Sequence, residues 1–311
     1  MLRHAVYAED SPCSRAFSML RCRPCCLLLL LLSPLLRAAE PAAEVIWYYP
    51  DFPPTYIVAG PYKGEGLADK REAFILRALG EFRHSRVMAN TARMMQDMRQ
   101  REICQSAMLK TPERETFMVF SEPVAELLPA GLIVSTERKA EIAPHLNPRG
   151  EVRLPELLKA GRLKVLMAAG RSYGEHVDAA LKLGRNKRSV EAFYAPDLFV
   201  SGLLTVVRQK KADAVVGYPI ELIWAQQQFE LAPDTLLFLP IESETQLLQS
   251  RVGCSRGPTG EAVVAHVNEL LRNGQLAEVA ERAYLEWVPE ANHAYYRQLR
   301  QTSKRESAPA R

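Results

Sequence analysis

The densest group of chemically useful side chains in this 311-residue chain runs Ser106-Ala-Met-Leu-Lys-Thr111-Pro-Glu-Arg114 and continues into Phe117-Met-Val-Phe-Ser121-Glu-Pro123. Arg114 falls just past a β-rich run, in a Thr-Pro turn, where a guanidinium can bridge a carboxylate at two points. The plainer alternative is a surface arginine paired with Glu113 or Glu115. A second group, Val165-Leu-Met-Ala-Ala-Gly170-Arg-Ser-Tyr-Gly174, passes from a strand through a glycine turn into the helical pattern Glu175 to Leu183. Backbone N–H groups at such a helix start, with Arg171 and Ser172 beside them, suit an anion.

The same segment also fits G-x-S-x-G, the nucleophile elbow of serine hydrolases, and Asp197 or Asp213 followed by His266 supplies the required chain order. No His-Gly-Gly oxyanion loop precedes it, and such common residues fall in order by chance. An exported serine hydrolase acting through Ser172 therefore stands as an alternative. His84, His145, His176 and His293 are isolated, and no HExxH or calcium-loop pattern occurs, so neither a metal nor another cofactor is expected. Gly64-Glu-Gly66 lacks the third glycine and preceding strand of a dinucleotide loop and reads as a turn.

The elements that must position these residues alternate in type. Strands are expected over Val45 to Tyr49, Arg86 to Met88, Ile103 to Met108, Phe117 to Phe120, Gly131 to Ser135, Leu163 to Ala168, Ala214 to Gly217 and Leu236 to Pro240. Amphipathic helices fall between them, with Phe74, Ile75, Ala78, Leu79 and Phe82 on one face and Met94, Met95 and Met98 as core on another. Pro196 opens a helix through Leu198, Leu203, Leu204 and Val207. Gly260 to Arg272 and Gln275 to Trp287 form two more, separated by Asn273-Gly274. This alternation, with 48% hydrophobic and 24% charged residues, describes a globular α/β protein.

The ends differ from the body. From Met19 two arginines precede a charge-free run, Cys25 to Leu36, and then small residues, the layout of a cleaved secretory signal. The run is too short to span a bilayer as a helix, which takes about 20 residues. Residues 1–43 thus read as a signal peptide whose true start is Met19, with cleavage between Ala38 and Ala43. Residues 291–311 read as a polar basic tail, mobile beyond Arg300. These ends hold the basic excess: the net charge is +4, yet residues 1–39 carry +3 and 297–311 carry +4, leaving about −3 for the body. That excludes a nucleic-acid partner. Four cysteines go with the leader, and the remaining pair, Cys104 and Cys254, forms either a disulfide in an oxidising compartment or two buried thiols.

In this order the segments resemble the family 3 extracellular solute-binding proteins, the periplasmic receptors of amino-acid ABC transporters. Pro50-Asp-Phe-Pro-Pro-Thr-Tyr56 is similar to that family's first-strand loop, Gly66 to its first helix start, and Lys211-Ala-Asp-Ala-Val-Val-Gly217 to its late strand. Thr111-Pro-Glu-Arg114 followed by Phe120-Ser-Glu-Pro123 is the most specific match. The resemblance implies a two-lobed α/β fold, the type II periplasmic binding protein fold with two crossover strands. Lobe 1 would comprise 44–128 and 246–290, and lobe 2 would comprise 129–245. It places both remaining cysteines in lobe 1, which favours their bridge. Phe52, Tyr56, Thr111, Arg114, Arg171, Ser172 and Tyr218 are the implied ligand-binding residues. Phe52 would be an aromatic wall, Arg114 the grip on a ligand carboxylate, and Ser172 with nearby amides the matching contact from lobe 2. The implied partners are a small-molecule ligand and an ABC permease, in the periplasm, with the membrane touched only through the signal peptide or the transporter.

Three positions depart from the family. Tyr218 stands where an Asp would pair with a ligand ammonium, Leu109 replaces a Thr, and Asn90 replaces an aromatic. An unpaired buried charge is costly, so a carboxylate-bearing ligand without the amine fits better than an ordinary amino acid. The same departures leave open a sensor or partner-binding module on this fold.

Overall fold

A computed structural model describes residues 42–169, 171–186, 188–193 and 212–306. The leader, Gly170, the Pro196 helix and Asp197 lie outside these residues. The strands are β1 (Glu44–Tyr49), β2 (Arg83–Met88), β3 (Ile103–Leu109), β4 (Met118–Phe120), β5 (Ala125–Leu127), β6 (Gly131–Ser135), β7 (Val165–Ala168), β8 (Val190–Phe193), β9 (Ala214–Gly217), β10 (Leu236–Pro240) and β11 (Leu248–Ser255). The helices among the described residues are α1 (Leu67–Ala78), α2 (Thr91–Asp97), α3 (Pro112–Glu115), α4 (Lys139–Ile142), α5 (Leu154–Ala160), α6 (Glu175–Asn186), α7 (Pro219–Gln228), α8 (Pro258–Arg272), α9 (Gln275–Leu285) and α10 (His293–Glu306).

The strands form two sheets. The first has the order β2-β1-β3-β11-β4, with β5 also on β11; the second has the order β10-β6-β9-β7-β8. In the first, β1 runs parallel to β2 and β3, while β11 runs antiparallel to β3, β4 and β5. The chain passes to the second sheet at residues 128–130 and returns at 241–247. Two crossovers therefore join two α/β lobes, as the sequence implied.

Each lobe has its own apolar interior. Val45, Trp47, Ile75, Val252, Val263 and Leu276 pack in the first, and Leu132, Val134, Val165, Leu181, Ala214 and Val216 in the second. Burial of such side chains stabilises by roughly 1.5 to 3 kcal/mol each before the entropy of ordering is counted. The apolar runs Gly131 to Val134 of β6 and Ala214 to Gly217 of β9 are central strands because both of their faces are covered. In α1 the expected face is only partly right. Ile75 and Leu79 are buried and Ala78 is exposed, while the first half of the helix buries Asp69, Arg71 and Glu72.

The segment read as a polar basic tail is helical as far as it is described, with α10 running from His293 through Arg300 to Glu306. Tyr296 and Leu299, three residues apart, are buried on one helical face. Arg300 pairs with Glu126 at 2.9 Å and with Glu281. Tyr296 Oη donates to Glu126 O on β5, just before the outgoing crossover (3.1 Å), and Asn292 Nδ2 donates to Phe238 O in the second sheet (3.4 Å). The lobes also share an aromatic contact: Trp224 of α7 lies 5.8 Å from Trp287 and 6.3 Å from Tyr62, centroid to centroid.

Candidate ligand-binding cleft

The loop after β1 builds the first wall. Phe52 and Tyr56 exchange backbone hydrogen bonds of 3.2 and 2.9 Å, folding Pro50 to Tyr56 into a tight projection. Phe52 is 41% exposed at the lip, whereas Tyr56 is fully buried. The Tyr56 hydroxyl donates to Glu72 Oε2 (3.1 Å) and shares a 2.7 Å hydrogen bond with Ser106 Oγ. Behind it, Glu72 accepts from Arg86 at 2.8 Å, and Arg71 donates through Nη2 to Ser106 O at 2.6 Å. Arg71 Nε and Nη1 have no hydrogen-bond partner among the described residues.

Burial raises the Glu72 and Asp69 carboxyl pKa values above their usual range, and Arg86 only partly offsets it. Carboxyl groups whose folded pKa exceeds the unfolded one add stability once protonated, and that gain is lost as pH rises through the folded value. The melting temperature is therefore expected to rise as pH falls from neutrality toward the ordinary glutamate value. Glu72→Gln should shrink that rise, measured by calorimetry across the window. A flat profile in the parent protein would contradict this account.

Arg114 sits on α3 at the end of β3. Thr111 caps that helix, accepting from Arg114 N at 3.3 Å, and lines a neighbouring groove rather than the cleft. The guanidinium turns back so that Nη1 donates to Leu109 O at 2.6 Å. No carboxylate lies within ion-pair distance of it among the described residues, so the expected alternative of pairing with Glu113 or Glu115 is not realised; those two pair with Arg99 and Lys110. Partial burial pulls the Arg114 pKa down, with Glu113 acting in the opposite sense from a distance. A guanidinium carries five donors, so most remain for a ligand.

The second wall departs from expectation. Arg171 Nη1 donates to the buried Glu221 Oε1 at 2.7 Å, and its guanidinium lies 4.7 Å from the Tyr218 ring centroid. Glu221 Oε2 accepts from Tyr218 N at 2.7 Å, closing the start of α7. Ser172 Oγ donates to Asp178 Oδ2 at 2.5 Å, and Tyr173 N donates to Asp178 Oδ1 at 2.9 Å. The donors expected to receive an anion from the second lobe thus already hold an internal carboxylate. Asp178, one turn into α6, reaches them because helix starts favour acidic side chains.

The hydrolase alternative gains nothing from this geometry. Ser172 is bonded to Asp178, while His266 faces Glu81 at 3.2 Å on α8 in the other lobe, and Asp213 pairs with Arg138 at 2.7 Å.

Phe52, Tyr56, Arg114, Arg171, Ser172 and Tyr218 nevertheless line one cavity of about 350 Å³ between the lobes. Sequence reasoning missed the side chains that complete it, among them Met108, Leu127, Leu248, Ser250 and Tyr284. Met94, expected as core, is buried with Met98 and also reaches this cavity. Glu221 was legible in principle, since an acid three residues after a helix start is the spacing of a capping box. Cys104 and Cys254 are bonded, with sulfurs 2.03 Å apart on opposed positions of β3 and β11.

No family model matches this chain, nor does any curated protein. Solved structures do match its architecture. The "probable amino-acid ABC transporter extracellular-binding protein" of Bacillus subtilis is 14% identical with a TM-score of 0.56, over 80% of this chain and 100% of the other. Substrate binding domain 2 of Lactococcus lactis GlnP, in an open conformation, is 12% identical with a TM-score of 0.54, over 80% and 96%. An ancestral cationic amino acid solute binding protein is 15% identical with a TM-score of 0.55, over 79% and 96%. At such identities the likeness establishes the fold: this chain has the two-lobed type II periplasmic binding protein architecture.

Proposed function

We propose that this protein is an exported solute receptor that captures a small carboxylate-bearing ligand between its lobes and carries out no covalent chemistry. The observation that supports the reading most is Arg114, a half-buried guanidinium on the wall of an interlobe cavity, without a carboxylate partner among the described residues. A desolvated cation gains most from a ligand anion that supplies the missing charge. One solved structure of like fold is named as a probable amino-acid ABC transporter extracellular-binding protein and another as a solute binding protein, which supports delivery to an ABC permease. The leader pattern and the Cys104–Cys254 bridge support a periplasmic location. The anion grip in this reading comes from the first lobe, with Arg171 and Tyr218 closing over the ligand rather than binding its charge.

Native mass spectrometry of the protein purified from its own host is expected to show a bound small acid released on denaturation. Recovery of a cationic ligand would overturn the reading.

The aromatic contact of Trp224 with Tyr62 and Trp287 favours a second reading, a sensor or partner-binding module. It ties the lobes through the protein's own side chains, so the surface rather than the hinge would carry the signal. Co-purification with a permease supports the first reading over the second.

A further inference from the structure

We infer that the cleft selects monocarboxylates with an apolar body and no amine, a conclusion that rests on the receptor reading above. The charge inventory is the first ground. Among the described residues no Asp or Glu lines the cavity, and its two cations differ in state. Arg171 is already met by Glu221, and the Arg114 guanidinium meets only the Leu109 carbonyl among the described residues. One negative charge balances this site. A ligand ammonium would lose its water and find no carboxylate, a penalty of several kcal/mol in a desolvated setting.

The second ground is the engagement of the polar groups. The Tyr56 hydroxyl is held by Glu72 and Ser106, Ser172 by Asp178, and Gln105 Oε1 accepts from Ala107 N at 2.9 Å. These polar groups are engaged within the protein, and a second carboxylate would have to compete with Glu221 for Arg171. Hydroxyls of Thr55, Tyr218, Ser250 and Tyr284 also reach the wall, Tyr284 accepting from Leu128 N at 2.8 Å and Ser250 from Arg71 at 3.4 Å, and the larger part of the lining is apolar, including Phe52, Met94, Leu109, Leu127, Ile220 and Leu248. The third ground is size. A space of about 350 Å³ exceeds the cavity of about 150 Å³ that accommodates benzene, leaving room for one ring or a short alkyl chain with its carboxylate.

The test is isothermal titration of the purified, ligand-stripped protein with four probes: 3-phenylpropionate, hexanoate, L-phenylalanine and glutarate. At least one of the first two is expected to bind, on the order of 100-fold more tightly than L-phenylalanine, which adds an amine to the same skeleton. Glutarate should bind more weakly than hexanoate, and Arg114→Gln should remove the heat of the preferred probe. Equal or tighter binding of L-phenylalanine or glutarate would overturn the inference while leaving an anion receptor intact. No binding by any probe to protein with an unchanged melting transition would overturn the inference and the receptor reading together.

Discussion

Replacing Arg114 with alanine is expected to abolish the rise in melting temperature that the preferred carboxylate produces, while the ligand-free protein melts where the parent does. The two halves of this result have separate causes. Charge-assisted hydrogen bonds contribute about 1.5 to 3 kcal/mol each, so losing a two-point bridge weakens binding by at least on the order of 100-fold. The fold asks little of the Arg114 side chain, whose guanidinium bonds among the described residues to the nearby Leu109 carbonyl and shares no ion pair with them. Arg114→Lys sharpens the test, because an ammonium keeps the charge but cannot reproduce the planar fork. Recovery of a minor part of the affinity is expected from lysine. Full affinity in the alanine variant would take Arg114 out of the binding site and leave the receptor reading without its main support.

The second large effect concerns the disulfide. Cys104 and Cys254 are buried at opposed positions on neighbouring strands and close a loop with a sequence separation of 150. On the chain-entropy account, a loop of that length gives about 4 to 5 kcal/mol of stabilisation by restricting the unfolded chain. The paired replacement Cys104→Ala with Cys254→Ala should lower the unfolding free energy by about this amount in urea titrations, with little change in the native spectrum. The native parent protein should show no reactive thiol among these two until it is reduced. Two thiols titrating in the folded, unreduced protein would exclude the bridge.

These effects trace back to features of unequal visibility in the sequence. Gly131-Leu-Ile-Val-Ser135 and Ala214-Val-Val-Gly217 announce themselves because central strands covered on both faces need continuous apolar runs. Leu248-Gln-Ser-Arg-Val-Gly-Cys-Ser255 does not, although β11 is equally central. Its polar side chains are tolerated because each finds a specific partner: Arg251 donates to Ser121 O at 2.7 Å, and Ser255 Oγ accepts from Ile103 N at 3.2 Å. Such tertiary satisfaction leaves no periodic signal.

At the cleft, Arg114 stood out because a guanidinium after a strand end is conspicuous. Thr111 stood out for the same local reason, yet its hydroxyl serves the cap of α3 instead of the cavity. Asp178 and Glu221 remained hidden. Their roles depend on where a helix start brings a carboxylate in three dimensions, and they divert Ser172 and Arg171 from the parts that a linear reading assigned. The apolar lining was hidden for the opposite reason, since Leu127 and Leu248 look like any other core residues.

The position of β11 also governs the timetable of synthesis. The edges of β3, β4 and β5 that it covers are made more than a hundred residues before it, so the first lobe cannot seal until residue 255 has left the ribosome. From the completion of β3 at residue 109 until residue 255 the nascent chain carries open strand edges, which invite off-pathway association. A circular permutant that moved this strand ahead of β3 would let the first lobe close earlier in synthesis.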